Sequence, residues 1–136
     1  MIIFQNITKT YNHNAVALDK VSFKIQPGEF VSIVGRSGAG KSTVVKLLTA
    51  EENPTKGQIF FGTYEVNKLK SRELPEFRRH IGVIFQDFRL LAKKTVFENV
   101  AFALEVAGRP QKEIVEYVPQ ALDMVGIKDK VGNFPA

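Results

Sequence analysis

The stretch Gly35-Arg36-Ser37-Gly38-Ala39-Gly40-Lys41-Ser42-Thr43 constrains this chain more tightly than any other. It fits Gly-x-x-x-x-Gly-Lys-Ser/Thr, and each position has a physical reason. Glycines open backbone conformations closed to other residues, so that successive N–H groups converge on one anion. A helix opening at Lys41 presents the positive end of its dipole to the same point. Lys41 adds a full charge within reach of the β- and γ-phosphates of a nucleoside triphosphate, and the Ser42 hydroxyl is a ligand for Mg²⁺. Such a loop belongs between a buried strand and a helix. Residues 30–34 (Phe-Val-Ser-Ile-Val) form a nearly continuous apolar run, suited to a strand covered on both faces. Residues 41–49 have helical character, so the expected fold class is α/β.

Around this loop the chain changes texture. Residues 2–7 are β-prone, and Val21, Phe23 and Ile25 alternate with Ser22, Lys24 and Gln26, as in an antiparallel strand with one wet face. A loop at 53–57 leads to a short strand at 58–61. A short helix is expected over 73–80, with Pro75 in its first turn, and a second buried strand over 81–85. Residues 96–107 read as a helix closed by Gly108-Arg109-Pro110. In the last helical stretch Ile114, Val118, Ala121, Leu122 and Val125 share a face, and Pro119 is expected to split it in two.

Composition removes several classes of function. The chain has no cysteine, so thiolate metal sites, disulfide scaffolds and thiol nucleophiles are out. Its two histidines, His13 and His80, are not spaced as a helical metal pair. No apolar run reaches the ~20 residues of a membrane span. The net charge of +5 is spread along the sequence without a recognition motif, which argues against nucleic acid as a partner.

Two further residues bear on the nucleotide. Tyr11 lies in a polar stretch after the first strand, where an aromatic ring can stack on a base; the alternative is a turn or packing residue. Gln86 follows the expected strand at 81–85 and so faces the crevice where open α/β sheets bind ligands; the alternative is a solvated loop amide.

With Tyr11, VGRSGAGKST at 34–43 and IGVIFQDF at 81–88 in this order, the chain resembles the ABC ATPase family, the nucleotide-binding subunits of ABC transporters. The resemblance runs over essentially all 136 residues, and FQDFRLLAKKTVFENVAFALEV at 85–106 looks like the cell-division branch of that family. It implies a phosphate-loop NTPase with an antiparallel β-subdomain at about 1–30, a phosphate-loop core with a partial parallel sheet at 31–86, and the Q-loop with the start of the helical arm at 87–136. Tyr11 would stack on the adenine of ATP. Gly35, Ser37, Gly38, Ala39, Gly40, Lys41, Ser42 and Thr43 would hold phosphates, and Ser42 with Gln86 would ligate Mg²⁺. Gln86 would position water, which makes it the one catalytic candidate here. The implied partners are an FtsX-like integral membrane subunit, received in part by residues 87–102, and a second copy in a head-to-tail dimer. The implied location is the inner face of the cell membrane.

The family pattern is incomplete. No Gly-Gly pair occurs, so the Leu-Ser-Gly-Gly-Gln signature is absent, and neither a second acid-ended strand nor a switch histidine follows. The chain therefore reads as the front portion of one ATPase domain, expected to bind ATP and not to turn it over. Competing readings are a regulatory nucleotide-binding module, the ATPase of a lipoprotein, macrolide or amino-acid transporter, and a small phosphate-loop kinase. A kinase should carry its loop near the N-terminus, whereas more than thirty residues precede it here.

Overall fold

The computed structural model describes residues 1–12 and 15–135, so His13 lies outside the described residues. Strand β1 (Ile2–Tyr11) runs between β2 (Ala15–Ile25) and β3 (Lys56–Phe61), and β4 (Tyr64–Glu65) completes a four-stranded antiparallel sheet ordered β2-β1-β3-β4. The alternation at 21–26 is realised: Val21, Phe23 and Ile25 are half-buried, and the polar residues between them are exposed. Phe4 pairs with Phe23 across β1 and β2, and their rings stack at 4.5 Å. Asn6 (φ 48°) and Lys20 (φ 50°) lie where the β1–β2 register shifts, bulges that sharpen the local twist. β1 is longer than its β-prone stretch suggests and ends at Tyr11, which is therefore a strand residue.

Helix α1 (Lys41–Leu48) packs Val44 and Leu47 into a core shared with Phe4, Ile7, Leu18 and Ile59. Helix α2 (Leu74–Arg78), with proline in its first turn, adds Phe77, whose ring meets Phe61 and Tyr64 edge-on at 5.7 and 5.4 Å. Arg78 then donates to the carbonyls of Thr49 and Ala50, each at 3.0 Å, satisfying acceptors left over at the end of α1.

These elements form one compact unit, Met1–Gly82; a second begins at Val83. In the second, α3 (Val96–Val106) opens with a capping box. Thr95 Oγ1 accepts from the Glu98 N–H, and the Glu98 carboxylate accepts from the Thr95 N–H. Helix α4 (Gln111–Met124) returns against α3, packing Ile114, Val118 and Leu122 on Ala101, with Phe97, Val100 and Leu104 around them.

Several expectations are corrected. Pro119 does not split α4, which runs through it. The carbonyl it leaves unpaired belongs to Val115, an exposed residue where water can serve as donor. Ala121 and Val125 are exposed and off the buried face. The runs at 30–34 and 81–85 form no strands among the described residues, so the partial parallel sheet is not built there. A strand exists only by its ladder, and neither run has a pairing neighbour. The described fold is α/β with an antiparallel sheet.

Candidate phosphate-binding site

The phosphate loop leads into α1 with the backbone its glycines permit. Gly38 (φ 79°) and Gly40 (φ 82°) occupy the left-handed region. Gly40 is doubly required, because a side chain there would collide with the Ala17 carbonyl and Leu18 of β2. This close approach ties the loop to the sheet. The Ala39 N–H donates to the Arg36 carbonyl at 3.2 Å and tightens the turn.

At the head of α1, Gly40 offers no side-chain cap and the first turn holds no acid. The positive helix end thus has neither a capping side chain nor a first-turn acid, an arrangement suited to an anion. Lys41 bends back over the loop, donating to the carbonyls of Gly35 (2.8 Å) and Arg36 (2.7 Å). An arriving phosphate group gives that ammonium a charged acceptor in place of two neutral ones. Gly35, Ser37, Gly38, Ala39 and Ser42 are exposed, whereas Thr43 is buried against the core. The Ser42 hydroxyl is therefore available to a ligand, and the Thr43 side chain lies on the buried side of α1. An apolar groove of about 320 Å³ runs beside the loop, lined by Leu18, Val21, Phe23, Val34 and Val44, with Lys41 at its edge.

At the end of β1, the Tyr11 ring carries the Lys9 ammonium 4.9 Å from its centroid. Lys9 also donates to Glu52 Oε2 and to the Asn53 carbonyl, both at 2.8 Å. Lys9 escaped the sequence reading; its signal was Lys-x-Tyr, which on a strand places both side chains on one face. Gln86 belongs to the second unit and is exposed in a turn. Behind it Phe88 (φ 53°) and Arg89 (φ 47°) are both left-handed, with the Arg89 guanidinium 3.6 Å from the Phe85 ring centroid. Phe88, Leu90, Leu91 and Phe102 are exposed, while Phe97, Val100 and Leu104 are used in packing.

Among the described residues no group of three or more His, Cys, Asp or Glu is placed to hold a metal. The exposed Ser42 hydroxyl is an oxygen donor of the kind that hard divalent cations take. Among the described residues no helix is long and apolar enough to cross a membrane.

Comparison with known proteins agrees with this geometry. The ABC transporter family matches residues 18–135. The chain is 50% identical over 135 residues to the cell division ATP-binding protein FtsE of Bacillus subtilis, 48% over 136 to that of Mycobacterium tuberculosis and 47% over 135 to that of Escherichia coli. These matches take in 99% of this chain but only 59, 59 and 61% of those relatives, so it spans about three-fifths of their length. Among solved structures it is similar to the ATP-binding cassette MJ0796, a dimer in a post-hydrolysis state bound to ADP and Pi. The TM-score is 0.89 at 34% identity, covering 99% of this chain and 62% of that one. Glycine-bounded loop, uncapped helix and sequence likeness agree: the chain belongs to the ABC transporter family.

Proposed function

We propose that this chain is the ATP-binding portion of an FtsE-like ATPase. The observation that carries the reading is the loop at 35–43: two left-handed glycines, a helix start with neither cap nor acid, and a lysine folded over them. Gly38 and Gly40 shape the cradle, the first turn of α1 donates N–H groups to the phosphates, and Lys41 pairs with their charge. The Ser42 hydroxyl would hold Mg²⁺, and Gln86, which lies in the second unit, is proposed as a ligand on the family resemblance alone. Bound there, Mg²⁺ neutralises charge that builds on the phosphate oxygens. Tyr11 stacks on the adenine. The organisation is a β-subdomain at 1–30, the phosphate-loop core at 31–86 and the Q-loop with the start of a helical arm at 87–136.

In the whole protein, two such subunits act head to tail on the inner face of the cell membrane with an FtsX-like integral membrane subunit. ATP binding and hydrolysis are coupled there to cell division and wall remodelling. The names of the relatives support the division role, and exposed Phe88, Leu90, Leu91 and Phe102 supply apolar surface for the membrane subunit. Within these 136 residues there is no signature Gly-Gly, and after the loop no strand-like apolar run leads to an acid other than 81–85, which leads into Gln86-Asp87. On this reading the 136 residues bind ATP and do not hydrolyse it, because their sequence holds neither the signature nor a second acid-ended strand-like run to supply the carboxylate that polarises the attacking water.

Calorimetric titration of Mg·ATP into the chain and into Lys41→Ala, followed by assay of released phosphate, tests both parts. Binding lost in the variant, with no phosphate released, is expected. Equal binding by the two proteins would remove the phosphate-loop reading, and sustained Lys41-dependent phosphate release would remove the claim of inactivity.

A further inference from the structure

Lys9 is the one charged residue in the buried set among the described residues, and the phosphate loop makes no use of it. Its side chain is 11% exposed. Taking an ammonium out of water is costly, and an exposed ion pair returns little, so a pair that served stability alone is easily replaced by apolar packing. What the lysine supplies and an apolar residue does not is a cation against the Tyr11 ring.

The surroundings hold that cation still. Residues 52–55, just beyond α1, grip the end of β1 at three successive positions. The Thr55 N–H donates to the Thr8 carbonyl at 2.8 Å, Lys9 reaches Glu52 and Asn53, and the Thr10 N–H donates to Thr55 Oγ1 at 3.0 Å. The hydrogen bond from Lys9 also keeps the Glu52 carboxyl below its ordinary range, so it stays charged. One helix thereby connects two tasks, with Lys41 at its start and the clamp under Tyr11 just past its end.

We propose that Lys9 is a positioning residue for the nucleotide base. Fixed by Glu52 and Asn53 against one face of Tyr11, it sets the ring so that the opposite face receives the purine. The inference rests on the reading of Tyr11 as the stacking residue, and the test separates the two. The probes are Mg·ATP and Mg·tripolyphosphate, which has the phosphates without a base, each titrated calorimetrically into the chain and its variants.

Tyr11→Ala should weaken ATP about tenfold and leave tripolyphosphate unchanged. Lys9→Met, which keeps the apolar stem, should weaken ATP roughly threefold to fivefold, again sparing tripolyphosphate. Lys9→Arg should restore ATP binding, and Lys9→Met should add nothing in the Tyr11→Ala background. Tripolyphosphate binding doubles as the check that each variant is folded. If Lys9→Met leaves the ratio of the two affinities intact while Tyr11→Ala collapses it, the inference fails and stacking stands. Equal weakening of both ligands by Lys9→Met would mean a general structural role and also overturn it. An unchanged ratio in Tyr11→Ala, or no ATP binding by the unaltered chain, removes the stacking reading and the inference together.

Discussion

Two apolar regions of this molecule have opposite fates. Phe4, Ile7 and Ile59, on neighbouring strands β1 and β3, are sealed at 1, 0 and 0% exposure. Phe30, Val34 and Ile84, in runs at least as apolar, stand at 98, 86 and 96%. Composition does not separate them; the supply of partners does. β1 meets β2, the next strand in the chain, and β3 once α1 has passed, so its ladder is satisfied by residues close in the chain or on the same sheet. The runs at 30–34 and 81–85 are apolar on both faces and need neighbours on both edges, and neither finds one among the described residues. Burial therefore follows pairing, and hydrophobicity alone does not produce it.

The sharpest way to break this contrast is Phe4→Ala. Removing a ring stacked on Phe23 from a closed core should cost about 3–5 kcal/mol, enough to unfold much of a domain this size. Urea denaturation followed by circular dichroism reads it directly, and a loss under about 1 kcal/mol would mean that the core relaxes around the hole. Gly40→Ala comes next. It imposes a side chain on a left-handed residue pressed against Ala17 and Leu18, at roughly 1–3 kcal/mol of backbone strain before the collision is counted. Reduced stability together with lost Mg·ATP binding is expected; ATP binding kept at full strength would mean that the loop does not need its seat on β2.

A smaller effect tests whether the helical unit is held by local chemistry. Thr95→Ala should loosen the start of α3 by about 1 kcal/mol, seen as faster hydrogen exchange at its first amides. Glu98 adds a pH dependence. The Thr95 N–H, and then Lys94, hold its carboxyl at about 2, below the usual 4.5. A depressed carboxyl stabilises fully above its unfolded value and loses that contribution as pH falls through the folded one. Protection of the α3 amides should therefore decline between about pH 4.5 and 2. Glu98→Gln keeps the capping geometry without the titration, so its profile should be flatter over that window. Identical profiles would remove the capping carboxylate from the account.

Local signals in the sequence translated faithfully. The phosphate loop, the alternation at 21–26, the proline-led α2 and the helix beginning near Val96 all depend on neighbours within a few residues, and all are present. Where partners lie far along the chain, the sequence reading went astray. Continuous apolar runs announced strands without saying who would pair with them. Pro119 suggested a break that an exposed carbonyl makes affordable. The candidate site was legible at its phosphate end, where one segment carries the whole motif. The proposed base end was half legible, because the cation under Tyr11 is held by Glu52 and Asn53, more than forty residues away in sequence.

The smallest expected effect bears most directly on the comparison. Phe30→Ser and Ile84→Ser replace side chains that already stand in water, so each should move the urea midpoint by no more than about 0.5 kcal/mol equivalent. Their influence should appear in concentration instead. Unpaired apolar runs invite edge-to-edge association, and each serine should lower the weight-average mass in sedimentation measured across a range of protein concentrations. A large drop in the midpoint would show that these residues are covered in the isolated chain, and the contrast between paired and unpaired runs would disappear. An unchanged midpoint with unchanged association would leave the contrast in burial but deny that the open edges are adhesive. The expected pair of results, stability kept and association reduced, would show that both runs are exposed and that their open edges are adhesive.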